Sequence, residues 1–158
     1  LKFVGMEALG EGVRFIGGAQ PKGLKPGIYF FLPFFMEIEI VSCAADIANI
    51  WVQRLTTTDG KKVALSFNIA FHVVDAVAHW TKVEDFGQNF HRMAARHCAA
   101  KVRKWSYPEL MESQAALEVS IKETMQTRMA KLGWGVEIDD CGLTDLVEGR
   151  PLILIQKE

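Results

Sequence analysis

Cysteine is scarce in this sequence, and no two cysteines stand at a spacing that supports chemistry. The three, Cys43, Cys98 and Cys141, are odd in number and far apart. They form no C-x-x-C pair, so the sequence gives no sign of a zinc site or a redox pair. We expect free thiols that pack as small core residues, in a protein of a reducing compartment.

A charge excess of either sign is also missing, and so is a long apolar run. A formal net charge of -1 over 158 residues provides no overall field for nucleic acid, and we expect no nucleic-acid partner because the aromatics stand at core periods. A membrane-spanning helix needs about 20 apolar residues, whereas the stretch from Ile28 to Met36 is about half that and contains Pro33. Because the chain begins with Leu1, we expect a fragment or a processed product, and any membrane association is expected to be peripheral or through a segment outside this sequence.

What the chain does contain is a concentrated aromatic segment, G-L-K-P-G-I-Y-F-F-L-P-F-F at residues 23–35. Pro26 and Gly27 predict a turn, and the apolar run up to Pro33 predicts a short strand with both faces covered. Most aromatics in such runs belong to a core. The alternative is contact with a membrane interface, in which the two rings beyond the proline protrude more than Phe30. The candidate membrane-contact residues are Tyr29, Phe30, Phe34 and Phe35.

Alternation of apolar and polar residues follows this segment and predicts a sheet. Met36–Cys43 alternates charged and apolar residues, which is typical of a strand with one solvated face. Ala48–Leu55 predicts a second strand, joined through a turn at Asp59-Gly60 to a long third strand. The core face of this third strand is expected to consist of Val63, Leu65, Phe67, Ile69, Phe71 and Val73, and its opposite face of Ser66, Asn68 and His72.

After residue 74 the apolar period lengthens to that of helices. Asp75 is expected to cap a short helix that ends near Lys82, and a second helix is expected to begin near Asp85.

A third and longer helix is predicted from a capping box formed by Ser106 and Glu109. Gly133 is its stop signal, and the alternating residues 134–144 predict a strand that returns to the sheet. The apolar stripe of this helix is expected to consist of Leu110, Leu117, Ile121, Met125 and Leu132.

Strands grouped before helices, with one strand after them, predict an α+β domain with a mostly antiparallel sheet and helices packed on one face. The sequence shows no internal repeat and little room for a linker before residue 146. We therefore expect one domain over residues 1–146 and an extension over residues 147–158. The L-I-L-I run of this extension predicts a strand, whereas Pro151 also suits the first turn of a further helix.

The histidines and cysteines form no catalytic or metal-binding constellation in the sequence. His91 and Cys98 share a helix face, but two turns, roughly 10 Å, separate them, which is too far for a Cys–His pair. The 4 histidines show no H-x-x-x-H spacing. Gly17 and Gly18 precede a strand, so they cannot place a phosphate at a helix N-terminus. We expect a non-enzymatic protein with no catalytic residues, metal or cofactor.

Charge is distributed unevenly between the second and third predicted helices. Five basic residues and no acidic ones lie between Phe86 and Trp105, whereas the third helix contains four glutamates. Three interpretations are open: a solvated face with pairing between the two helices, contact between subunits, or contact with anionic lipid. The candidate oligomer-interface residues are Arg92, Arg96, Arg103, Lys104, Glu112, Glu118 and Glu123.

Six segments, taken in order, resemble one protein family. The aromatic segment, the T-T-D-G-K-K-V hairpin with its long strand, and the helix at V-D-A-V-A-H-W resemble elements of the SPFH or band 7 domain of stomatin, prohibitin, flotillin and HflK/C. The basic helix, the helix opening with S-Y-P-E-L and the strand W-G-V-E-I-D-D-C-G-L-T are similar to the rest of that domain. The resemblance spans residues 4–146 and implies the curved sheet of an SPFH-like fold.

The resemblance implies a scaffold rather than a reaction. Proteins of this family are generally membrane-associated, assemble into rings or cages, organise membrane microdomains, and regulate membrane proteins or proteases. The implied partners are other copies of the chain or related subunits, membrane lipid, and a membrane protein or protease client. The long C-terminal helix of the family is not matched at residues 147–158, which contain Gly149 and Pro151. The alternative is a soluble self-assembling adaptor or shell module, since the shoulder of the vault shell resembles the same domain.

Overall fold

The computed structural model describes residues 2–6, 10–16 and 20–149, and all statements below concern these ranges. Strands come first, helices second, and one strand returns at the end, which confirms the predicted α+β class. The described elements are β1 (Lys2–Met6), β2 (Gly10–Ile16), β3 (Lys22–Leu24), β4 (Gly27–Phe31), β5 (Met36–Ser42), β6 (Asp46–Thr56), β7 (Lys62–Val73), α1 (Ala76–Lys82), α2 (Phe86–Val102), α3 (Tyr107–Glu112), α4 (Gln114–Leu132) and β8 (Val136–Glu148).

The described strands form three antiparallel sheets rather than a single one. β1 pairs with β4, and β2 lies between β3 and β5. The main sheet has the order β6-β7-β8, so the returning strand lies beside the long arm of the predicted hairpin. α1 contacts β2 and β3 and thereby links the main unit to the smaller sheets.

The central strand β7 provides the core face that its alternation predicts. All six predicted residues on that face are buried, from Val63 at one end to Val73 at the other. The helices cover this face, with α2 against β6 and α4 against β8. The side chains of α2 that face the sheet recur every fourth residue, as expected for one side of a helix. They are Phe90, Ala94, Cys98 and Val102.

Local capping places the helix starts where the sequence predicts them. The Asp75 carboxylate accepts a hydrogen bond from the Ala78 N–H at 3.0 Å, and that of Asp85 accepts one from the Gln88 N–H at 3.3 Å. At α3 the Ser106 N–H donates to the Glu109 carboxylate at 2.8 Å, which confirms the capping box. These bonds satisfy N–H groups that have no partner within a helix.

The prediction of one long third helix is wrong, because the chain breaks at Ser113. The backbone there has φ of -110° and ψ of 30°, outside the helical region, and this separates α3 from α4. The predicted apolar stripe also needs one correction. Leu132 is 37% exposed, whereas Met129 is buried, because Leu132 is the last helical residue before the turn at Gly133.

The turn of the β6–β7 hairpin is held against the start of α3. The Tyr107 N–H donates to the Asp59 carboxylate at 3.2 Å, and the Thr58 N–H donates to the Trp105 carbonyl at 3.0 Å. The Thr57 hydroxyl also donates to Asp59, and this bond is the main reason that the pKa of Asp59 lies below its ordinary value. The predicted turn thus also connects the sheet to the helical layer.

The last strand continues past the expected domain boundary at residue 146. β8 ends at Glu148, and the Gly149 N–H donates to the Lys62 carbonyl at 2.8 Å. Residues 150–158, to which the predictions for the L-I-L-I run and Pro151 apply, lie outside the described residues. No helix of the described ranges is long and apolar enough to cross a bilayer.

Candidate functional site

β4 exposes one of its two faces, so the prediction of a strand covered on both sides is wrong. Ile28 and Phe30 are 72% and 69% exposed, and Leu32, just after the strand, is 45% exposed. Tyr29 and Phe31, on the other face, are half-buried. β4 belongs to a two-stranded sheet with β1. A sheet this small cannot bury both of its faces without other elements packed on each face.

The turn after β4 extends this apolar surface with two rings. The Leu32 carbonyl accepts hydrogen bonds from the N–H groups of Phe35, at 3.0 Å, and Met36, at 2.9 Å. This tight turn leaves Phe34 93% exposed and Phe35 68% exposed. We call the resulting surface the aromatic tip. It consists of Ile28, Phe30, Leu32, Phe34 and Phe35.

The aromatic tip differs in composition from the candidate membrane-contact set. Tyr29 points to the opposite face of β4, and its hydroxyl donates to the Lys25 carbonyl at 2.8 Å. Ile28 and Leu32 are not in the candidate set. Each stands two residues from Phe30 and therefore lies on the same side of the extended chain. Phe34 protrudes more than Phe30, as expected, whereas Phe35 is exposed to the same degree as Phe30.

The aromatic tip exposes an unusual amount of apolar surface to water. Single exposed apolar side chains are common, but contiguous patches rimmed by polar residues mark sites of contact with protein or membrane. The tip places five exposed apolar side chains within eight residues, on a strand and the tight turn that follows it. The tip is therefore a candidate site of contact with a protein or a membrane.

A second surface lies on α2, far from the tip in sequence. Arg92, Arg96 and the capping residue just after the helix, Arg103, are exposed, and their spacings of four and seven residues place them on one side of the helix axis. Arg92 donates to the Gln88 side chain at 3.1 Å. Lys104 is exposed just beyond this row.

The arginines of α2 have no carboxylate at ion-pair distance within the described residues. The described contacts of this kind are the Lys61–Glu148 ion pair at 3.6 Å and the hydrogen-bonded contact of His72 Nδ1 with the Asp139 carboxylate at 2.9 Å, and neither involves α2. Of the candidate acidic residues, Glu112 and Glu123 are exposed. Glu118 is half-buried, and its carboxylate accepts a hydrogen bond from the Leu143 N–H at 2.6 Å. Pairing between neighbouring helices of one chain is therefore not seen in these ranges, and the role of the seven residues in assembly stays a prediction.

The cysteine and histidines of α2 do not come together as a reactive pair. Cys98 is fully buried, and this burial raises the pKa of its thiol to about 12, so it is protonated at neutral pH. Burial, with smaller contributions from Arg128, Arg96 and Lys101, lowers the pKa of His97. Within the described residues, no three His, Cys, Asp or Glu side chains are grouped closely enough to hold a metal ion.

Known proteins match the chain over most of its length. A model of the SPFH domain / Band 7 family matches residues 10–149. A stomatin homolog of Pyrococcus horikoshii is 22% identical over 121 residues, which cover 77% of this chain and 45% of that protein. A stomatin homolog of Pyrococcus abyssi is 22% identical over 121 residues, covering 77% of this chain and 44% of that protein. The chain thus spans less than half the length of the curated relatives it matches.

Proposed function

The chain belongs to the SPFH domain / Band 7 family, and from that membership we propose that it is a non-enzymatic scaffold domain that associates with a membrane and self-assembles. Family membership supports a membrane-associated scaffold role in general. The proposal extends that role to organising membrane microdomains or regulating a membrane protein or protease. It also assigns membrane contact to the aromatic tip and subunit contact to the exposed arginines Arg92, Arg96 and Arg103.

The observation that supports the proposal most directly is the exposure of the aromatic tip. Phe34 and Phe35 occupy a turn, where they can enter the headgroup region while β4 and β5 stay paired with their neighbours. Fully burying a Phe side chain is worth about 1.5–3 kcal/mol. Partial insertion of a few such side chains gives one chain only weak affinity for a bilayer.

Self-assembly turns this weak affinity into stable attachment. When several tips belong to one assembly, each further insertion is effectively intramolecular, and avidity exceeds the affinity of one tip by orders of magnitude. The proposal therefore links two properties: a chain that does not assemble is expected to bind vesicles weakly, even with its tip intact.

The test is co-flotation of the chain with anionic liposomes, for the wild type and for Phe34→Ser with Phe35→Ser. Because about 1.4 kcal/mol corresponds to tenfold in affinity, we expect the double variant to bind at least about tenfold more weakly. Val119→Ser with Met111→Ser is the matched control, since both side chains are exposed apolar residues of the helical layer. It should float like the wild type.

Folding is checked on the same samples by circular dichroism and thermal unfolding. Unfolding of the tip variant would show that Phe34 and Phe35 are needed for packing rather than for membrane contact. Equal flotation of the tip variant and the wild type would remove the tip from membrane contact. A wild type that assembles but never floats would favour the alternative, a soluble adaptor or shell module.

A further inference from the structure

A basic surface of α2 and an acidic surface of β8 lie on opposite faces of the main unit. α2 packs against β6 and α4 packs against β8, so both helices cover the same face of the sheet. The outward side of α2 and the sheet face turned away from the helices therefore point in opposite directions, with the sheet and the helix between them. Any attraction between them inside one chain is weakened by this separation.

The basic side is a single row. Arg92, Arg96 and Arg103 share the side of α2 opposite its buried stripe of Phe90, Ala94, Cys98 and Val102. From the first to the last arginine the row is about 16 Å long, at 1.5 Å per helical residue.

The acidic side is a row on β8. This strand contains five acidic residues and no lysine or arginine. Glu137, Asp140 and Asp145 pair across the sheet with His72, Ala70 and Ser66, which places them on the sheet face turned away from the helices. The row pairs with the part of β7 from Ser66 to His72, which is about 20 Å long. This is close to the length of the arginine row.

These three carboxylates are available for an external partner. The other two acids of β8 already have one, since Asp139 contacts His72 and Glu148 contacts Lys61. Within residues 20–149, Glu137, Asp140 and Asp145 take part in no ion pair and are exposed.

The pKa values of half-buried His97 and buried Cys141 are shifted mainly by desolvation and to a smaller extent by nearby charges. Beside α2, desolvation first and then the Arg128, Arg96 and Lys101 cations lower the pKa of His97. At β8, desolvation first and then the Glu118 and Asp140 carboxylates raise the pKa of the Cys141 thiol to about 12.

We propose that the arginine row of α2 in one copy of the chain binds the acidic row of β8 in the next copy, head to tail. The proposal rests on the self-assembly in the proposed function and specifies its geometry. Two different surfaces meet in such a heterologous contact, so repetition generates a ring or a filament rather than a two-fold dimer. In a closed ring, all aromatic tips lie at the same level along the ring axis.

In this contact the acidic partner of the arginine row is the row on β8, whereas the sequence-based candidate set places the acidic partner on the glutamates of the helices. Glu118 of the sequence-based set already binds the Leu143 N–H. The β8 row, by contrast, is uniform in sign and close in length to the arginine row.

The test uses charge reversal and complementation, read by analytical ultracentrifugation. Arg92→Glu with Arg96→Glu makes both sides acidic, and Asp140→Lys with Asp145→Lys makes both sides basic. Each variant alone should lose self-association by at least about tenfold, and an equimolar mixture of the two should regain it. Wild-type association should also weaken between about 0.1 M and about 1 M salt, where the screening length falls from about 10 Å to about 3 Å.

Glu112→Lys with Glu123→Lys is the control, because it reverses two exposed acids outside β8. It should associate like the wild type. If this control loses association while the variant Asp140→Lys with Asp145→Lys keeps it, the proposal is overturned and the acidic partner lies on the helices. A mixture that fails to regain association would overturn it as well.

The proposed function and this pairing fail in different ways. A wild type that stays monomeric in solution and on anionic vesicles would contradict self-assembly itself, and the pairing with it. A wild type that assembles and floats while the β8 variant assembles normally would contradict only the pairing.

Discussion

At the scale of single residues, Gly135 controls how the last strand meets the first helix. Its backbone has φ of 67°, and a Cβ added there would lie 2.3 Å from the Asp75 carbonyl oxygen. Its own carbonyl accepts hydrogen bonds from the N–H groups of Val74 at 2.8 Å and Asp75 at 3.2 Å. Only glycine permits both this conformation and this close approach. The residue thereby joins the end of β7, the cap of α1 and the start of β8.

Gly135→Ala is expected to destabilise the fold by about 3 kcal/mol or more, because it adds a backbone clash to the cost of a left-handed conformation. Gly133→Ala is the matched control: its φ is 63°, and the nearest atom to an added Cβ is the mobile Lys82 Nζ at 3.4 Å. That change should cost about 1–2 kcal/mol. Urea unfolding measures both free energies. Equal losses would show that the approach of Gly135 to Asp75 does not matter for stability.

At the scale of elements, α4 protects the edge strand β8. The register of β8 against β7 shifts at two bulges, between Ser66 and Phe67 and between Ala70 and Phe71. Near these bulges, side chains of α4 accept hydrogen bonds from the edge of β8. Gln126 accepts from the Ile138 N–H at 2.8 Å, and Glu118 accepts from the Leu143 N–H at 2.6 Å. The helix thus satisfies N–H groups that would otherwise offer pairing to another strand.

Glu118→Ala should lower the free energy of unfolding by about 1–3 kcal/mol, because it leaves the Leu143 N–H without its acceptor in a partly buried position. Glu118→Gln keeps an acceptor oxygen and should restore most of the loss. Glu123→Ala, at an exposed position of the same helix, should change stability by less than about 0.5 kcal/mol. Chemical denaturation of the three variants gives the comparison. A loss in the Gln variant as large as in the Ala variant would assign the effect to charge rather than to this hydrogen bond.

At the scale of the whole molecule, the buried core is concentrated in one part of the chain. Within residues 20–50, Val41 is the only buried hydrophobic residue before Ile50. The others belong to the β6-β7-β8 sheet and its helices, whereas the sheets formed by β1 to β5 carry the aromatic tip. The well-buried unit therefore continues from a segment, residues 20–49, in which few apolar side chains are buried, and the proposed membrane contact lies on that segment.

Hydrogen exchange followed by mass spectrometry should reveal this gradient. Local opening requires less free energy where few apolar side chains are buried. We expect the slowest amide exchange in β7 and markedly faster exchange across residues 22–42 in the free chain. Anionic vesicles should slow exchange around residues 28–35. Uniform protection along the chain would contradict a division of stability, and unchanged exchange at the tip in floated samples would contradict contact there.

Much of the fold could be predicted because the relevant signals are local. The β7 alternation, the Asp75 cap and the Ser106–Glu109 capping box each depend on residues within a few positions of one another. The errors arose where a local signal was incomplete. A capping box marks where a helix starts but not how far it runs, so the break at Ser113 was missed.

The candidate surfaces were predicted less well, because exposure depends on what the rest of the chain covers. An aromatic run predicts a buried strand on average, yet Ile28 and Phe30 lie on a face of β4 left open in its two-stranded sheet. The sequence by itself determined the family, the succession of strands, helices and a returning strand, and the basic character of α2, since those depend on neighbours along the chain. Only the tertiary structure decided that the arginine row and the acids of β8 lie on opposite sides, because sheet order and helix packing are set by contacts between distant residues.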